Sequence, residues 1–202
     1  MKAVKAVTDV AEKGLSRRAA LAVLAVLAAV PAWVAAEGGQ APPEVAAELP
    51  GVRLQGSGHL KFMMMSVYSA RLWARTGFDA AQFERAPLAL ELIYARKLYG
   101  KLIAERSLEE MKRAGGVGGL TEAQAARWLA ALTALIPDVK EGDRLTGVQR
   151  PGQSAAFFVN GRAAGELQDA DFTRRFFGIW LAPTTSEPRL RQQLIGTAPS
   201  AS

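Results

Sequence analysis

The chain of 202 residues has no cysteine and one histidine, His59. The first absence excludes disulfides, thiol nucleophiles and cysteine-based metal sites. The second excludes a multi-histidine zinc site or a two-histidine iron site within one chain. A serine–histidine–aspartate arrangement could draw only on His59. A dense Lys/Arg patch with interleaved aromatics is also lacking, so no nucleic-acid partner is expected. The glycine run "GGVGG" at 115–119 has neither the spacing nor the strand–loop–helix setting of a phosphate loop and reads as a flexible connector. No internal repeat is present, and no cofactor is implied.

Half of the residues are apolar, enough for a sizeable core, and the formal net charge is +6. Part of that charge sits at the N-terminus. Arg17 and Arg18 precede an uncharged run from Ala19 to Ala36 that ends in the small residues Val34 and Ala36. That layout is an export signal over 1–36, of the general or the twin-arginine type, and places the protein in the periplasm or outside the cell. A retained anchor is the alternative, since the run is about long enough to span a bilayer. Pro31 and the alanine content speak against it, so no stable span is expected after cleavage. The segment holds five of the 25 basic and two of the 19 acidic residues, so the remainder carries a net +3. Residues 37–50, rich in Gly and Pro, read as a linker, with order starting near Val52. The folded domain is expected over 51–196, a disordered tail over 197–202, and a monomer.

Within the domain, "GHLKFMMMSVYSARLW" reads as one long strand or a bent hairpin. As a strand it puts Phe62, Met64, Ser66 and Tyr68 on one side and Met63, Met65 and Val67 on the other. Both sides are largely apolar, so both are expected to be covered. "LALELIY" at 88–94 is a second strand, and the segment from Lys101 to Arg113 follows helical period. "TEAQAARWLAALTALIPD" opens with Thr121 and Gln124 at capping-box spacing. Three strands follow between 143 and 167, two of them joined by Asn160-Gly161, a strong hairpin signal. Asp169 caps a helix that turns Phe172, Phe176, Ile179 and Trp180 inward, and Pro188 and Gly196 bracket a last one. Segregated strands and helices predict an antiparallel α+β fold.

The ordered set "GSGHLKFMMMSVYSARLW", "YARKLYGKLIAERSLEEM", "PDVKEGDRL", "FFVNGRAAGEL" and "FFGIWLAPTTSEPRLRQQLIG" resembles the chalcone isomerase-like family, in its secreted bacterial branch, over about 51–196. The resemblance implies an open-faced β-sandwich: a large antiparallel sheet covered by a layer of helices, with a ligand cleft between them. The family holds plant enzymes that close a chalcone to a flavanone and members that bind fatty acids. The plant cleft uses a "YxxKxxEN" stretch. "YGKLIAER" offers Tyr99 for its tyrosine and Arg106 in place of its asparagine. Met63 in "KFM" stands where the plant strand has a threonine, and a second cleft hydroxyl falls near Ile179. Arg53 is the candidate for the family's anion-holding arginine, with His59 or Lys61 able to take that place.

Those departures set the functional expectation. Closing a chalcone needs placed donors for a developing enolate, and removing one such donor costs on the order of a hundredfold in rate. Two hydroxyl positions have become Met63 and Ile179. An apolar cleft with a cation and a tyrosine suits a carboxylate with a long tail, held by Arg and lined by adaptable Met. The residues expected at the ligand are Arg53, Met63, Tyr99, Arg106 and Ile179. Glu109 and Glu110 read as a solvated helix face. The first functional expectation is a non-catalytic binder of a small apolar or amphiphilic ligand. An isomerase acting on an enone is the second, and a structural or partner-binding envelope protein the third.

Overall fold

The computed structural model describes residues 39–114 and 119–196. The expected export signal, residues 37–38, most of the glycine run and the tail from 197 lie outside the described residues. Six strands form one antiparallel meander in chain order: β1 (Arg53–Phe62), β2 (Met65–Ala74), β3 (Leu88–Tyr94), β4 (Arg144–Arg150), β5 (Ser154–Val159) and β6 (Arg162–Leu167). The helices are α1 (Pro43–Glu48), α2 (Gly100–Ala114), α3 (Glu122–Leu135), α4 (Ala170–Leu181) and α5 (Pro188–Ile195). The fold is the α+β arrangement that the segregated strands and helices predict.

Strand alternation places the core. On β3, Leu88, Leu90, Leu92 and Tyr94 enter the main apolar cluster, while Ala89 belongs to a second one. Ala70, Leu72 and Ala74 of β2 join the main cluster, where Trp128 and Leu132 of α3, Phe172, Phe176 and Phe177 of α4 and Leu194 of α5 meet them. Rings of Trp128 and Phe172, and of Phe157 and Phe176, pack edge to face at 5.5 and 5.2 Å. Each large side chain so buried contributes about 1.5–3 kcal/mol.

Local signals set the element ends. Thr121 and Gln124 form the reciprocal capping box of α3. Asp169 accepts from the amides of Asp171 and Phe172 and starts α4. Asn160 and Gly161 turn the β5–β6 hairpin at φ 50° and 80°. The Lys101–Arg113 helical period appears as α2.

The second face of the sheet corrects the expectation that 37–50 is a linker and that order starts near Val52. Residues 43–48 form α1, whose Val45 is fully buried with Trp73, Ala89, Val148 and Ala156. Glu44 accepts from Thr146 Oγ1 at 3.1 Å and pairs with Arg144 at 2.9 Å; Glu48 pairs with Arg150 at 2.7 Å. A six-residue helix has no stability of its own, so it leaves no periodic signal. The proline that suggested a linker is at the helix start, where its missing N–H costs nothing. Glu91 is buried on this face too, accepting from Trp73 Nε1 at 3.0 Å.

The long Met-rich stretch is the bent hairpin, and its tip is bare. Met63 and Met64 make the turn at φ 47° and 68°, a left-handed backbone that costs about 1–2 kcal/mol for each non-glycine residue. Phe62, Met63, Met64 and Met65 are 64%, 77%, 96% and 47% exposed, which overturns the expectation that both faces are covered. The turn removes residues 63 and 64 from the alternation, so among the described residues neither joins a packed face.

Further along β1, glycine serves close approach. A Cβ at Gly56 would lie 2.2 Å from the Gln193 carbonyl oxygen. Its absence lets α5 cross β1 and close that side of the helical layer.

Candidate functional site

Between the sheet and the helices lies a cavity of about 260 Å³. Leu60, Val67, Tyr68, Leu92, Tyr94 and Leu145 form its sheet wall. Leu102, Ile103, Arg106, Ser107 and Glu110 of α2 and Phe176, Ile179 and Trp180 of α4 form the helical wall, completed by Leu98, Ile136, Ser186 and Glu187. The wall is mostly apolar with a few convergent polar groups, which is the make-up of small-ligand sites.

Two tyrosines and a tryptophan furnish the interior. Trp180 donates its indole N–H to the Tyr68 hydroxyl at 2.9 Å. Having accepted that bond, the phenol keeps its own proton to donate. The Tyr68 and Tyr94 rings meet edge to face at 6.0 Å. Burial pushes both phenols well above the ordinary tyrosine value; the Trp180 bond opposes this at Tyr68 without reversing it. Both are therefore neutral hydroxyls at any physiological pH.

The polar corner is built on Glu110, which corrects its reading as a solvated residue. Glu109 is solvated, but Glu110 is only 6% exposed. Glu110 pairs with Arg106 Nη2 at 2.5 Å and Arg113 Nη2 at 2.6 Å, and accepts from Ser186 Oγ at 3.0 Å. Arg113 also donates to the Thr184 carbonyl at 2.9 Å. Arg106, 68% exposed at the side chain, leans on Glu109 at 3.2 Å as well. One buried carboxylate thus holds two guanidiniums, with Arg106 the more open. Ser107 donates to its own helix at the Ile103 carbonyl, 2.8 Å away.

A family model described as chalcone isomerase-like matches residues 34–196. The chain belongs to the chalcone isomerase-like family. A Haemophilus influenzae protein, described as uncharacterized, is 30% identical over 134 residues, which are 66% of this chain. The chain spans 63% of that relative's length. Among solved structures, an Arabidopsis thaliana fatty-acid binding protein superposes with a TM-score of 0.57 at 13% identity. The match covers 78% of this chain and 95% of the plant chain, and the two share the fold.

Against this family fold, the expected site residues separate. Arg106 and Ile179 line the cavity. Arg53, Met63 and Tyr99 do not. Arg53 is exposed at the outer end of β1. Met63 is in the hairpin turn, so the inward direction read from a continuous strand does not hold. Tyr99 is 54% exposed and precedes α2, outside the helical geometry that would align it with Arg106 seven positions on. Lys97 lies over its ring at 5.3 Å. His59 and Lys61 are exposed as well.

Sequence reasoning missed Tyr68, Tyr94, Glu110 and Ser186 as cavity residues. Tyr94 carries a signal: it ends the apolar alternation of "LALELIY" and so shares the face of Leu92. Tyr68 pairs with Tyr94 across the ladder. Glu110 and Ser186 meet across 76 residues of chain and carry no local signal.

Proposed function

We propose that the protein is a non-catalytic binder of fatty acids or similar small amphiphilic carboxylates, exported to the periplasm or beyond. The observation that carries the reading is Arg106 at the rim of an apolar cavity. A tail gains by leaving water for the Leu, Ile and Phe wall. A carboxylate head can take two N–H bonds from one guanidinium. Arg106 can turn to it because Glu110 keeps Arg113 and Ser186 as partners. Tyr68 supplies a neutral donor inside. The fold shared with an Arabidopsis thaliana fatty-acid binding protein supports the same reading. Export rests on the run from Arg17 to Ala36.

Native mass spectrometry of the purified protein, followed by lipid extraction, tests this. A stoichiometric fatty acid that is lost in Arg106→Ala is expected. A bare chain mass, with no uptake on adding medium-chain carboxylates, would sink the reading.

One observation favours a second reading, an isomerase for an enone. The Tyr68 hydroxyl lines the cavity and accepts from Trp180, which leaves its own proton able to serve as a donor to a developing enolate oxygen. Turnover of a chalcone that disappears in Tyr68→Phe would establish it.

A further inference from the structure

The hairpin tip exposes Phe62, Met63, Met64 and Met65 in succession. Single exposed apolar residues are ordinary, but a contiguous group marks an interaction surface. The patch continues at the same end of the sheet: Arg96 Nη1 lies 3.4 Å from the Met65 sulfur, and Tyr99 and Leu102 are 54% and 57% exposed just beyond. Leu102 also lines the cavity, so the patch borders its rim.

Folding does not require methionine at this turn. The β5–β6 hairpin makes a turn of the same left-handed kind with Asn160 and Gly161, which tolerate that backbone. The chain thus holds two large, flexible apolar side chains in a strained turn and directs them into solvent.

Charge identifies the occupant. The stretches 61–70 and 95–102 contain Lys61, Arg96, Lys97 and Lys101 and no acid. Of the carboxylates bordering these stretches, Glu105 pairs with Lys101 at 3.8 Å and Asp138 accepts from the Gly100 amide at 2.9 Å. We propose that this end of the sheet docks on an anionic lipid bilayer, with Phe62–Met65 entering the interface and the four cations meeting the headgroups. Apolar insertion and attraction of Lys/Arg to an anionic surface are the two forces that hold peripheral proteins on membranes. A symmetric contact with a second copy would press like charges together. The docked orientation turns the cavity rim toward the membrane.

The absence of native cysteine gives a single-site probe on the full chain. Ser66→Cys, beside the tip, takes an environment-sensitive fluorophore; Gln153→Cys, in the turn at the opposite end of the sheet, is the reference. With vesicles of phosphatidylglycerol and phosphatidylcholine, a blue shift is expected at 66 and not at 153. It should weaken in about 1 M salt, where screening acts within ~3 Å, and be small on pure phosphatidylcholine. Phe62→Ser with Met63→Asn and Met64→Gly in the Ser66→Cys chain relieves the strained turn and should weaken binding about tenfold or more. Circular dichroism verifies its fold. No shift at 66, an equal shift at both positions, or a shift unchanged in the tip variant would overturn the proposal. So would a shift that grows with protein concentration without vesicles, which would point to a second copy instead.

Discussion

Trp180 on α4 and Tyr68 on β2, 112 residues apart in the chain, meet in a 2.9 Å hydrogen bond inside the cavity. The bond ties the helical layer to the sheet where the interior is hollow, and it leaves the phenol proton free to donate. Trp180→Phe should leave the Tyr68 oxygen without its donor and lower stability by about 1–3 kcal/mol. A double-mutant cycle with Tyr68→Phe in urea unfolding checks it. If the two losses simply add, the bond contributes nothing of its own.

Arg106 and Glu110 should affect an anionic ligand in opposite directions. Arg106→Ala removes a charge-assisted bond and is expected to weaken a bound carboxylate roughly tenfold or more. Glu110→Gln removes the competitor for Arg106 and should tighten it. Titration calorimetry with a medium-chain carboxylate measures both. The same ligand as a methyl ester should be insensitive to either change.

Ile179 faces the hollow and is only partly buried. Ile179→Trp should fill the cavity and abolish binding of a tailed ligand while leaving the unfolding midpoint nearly unchanged. Binding retained in this variant would move the ligand elsewhere.

Asp169 sets a pH dependence. Burial alone would raise its carboxyl, but the Phe172 amide, the Trp128 indole and Arg127 outweigh it and hold it below the usual carboxylate range. A group depressed in the fold stabilises fully above its unfolded value, about 3.9, and loses that contribution as pH falls through the folded value. Asp169→Asn keeps a cap on α4 but does not titrate. The stability gap between wild type and variant should therefore be open near neutral pH and close as pH falls below the ordinary carboxylate range, in parallel urea titrations.

Gly56→Ala should destabilise by about 1–3 kcal/mol, since the new methyl meets the backbone of α5 rather than a movable side chain. Ser57→Ala next to it, on an exposed position, is the neutral comparison.

Several parts of the molecule were legible one segment at a time. Thr121 with Gln124, Asn160 with Gly161 and Asp169 before Phe172 announce a helix start, a hairpin and a second helix start because caps and turns satisfy backbone groups within a few residues. The alternation of "LALELIY" and the inward set Phe172, Phe176 and Ile179 follow from fixed strand and helix periods. What misled was equally local. The Gly- and Pro-rich entry to the domain hid α1, and the continuous apolar look of "KFMMMSV" concealed a turn, because Met63 and Met64 are not turn formers.

The amino-acid sequence by itself determined the class of fold and most element boundaries, since these rest on short-range periodicity and capping, and its ordered segments carried the resemblance to the family. It also excluded thiol and multi-histidine chemistry by simple absence. Only the tertiary structure decided which tyrosines line the hollow, that Glu110 is buried between Arg106 and Arg113, and that a six-residue helix packs on the second face. Those outcomes depend on contacts between residues tens to more than a hundred positions apart, where burial and charge pairing, not local pattern, set the energy.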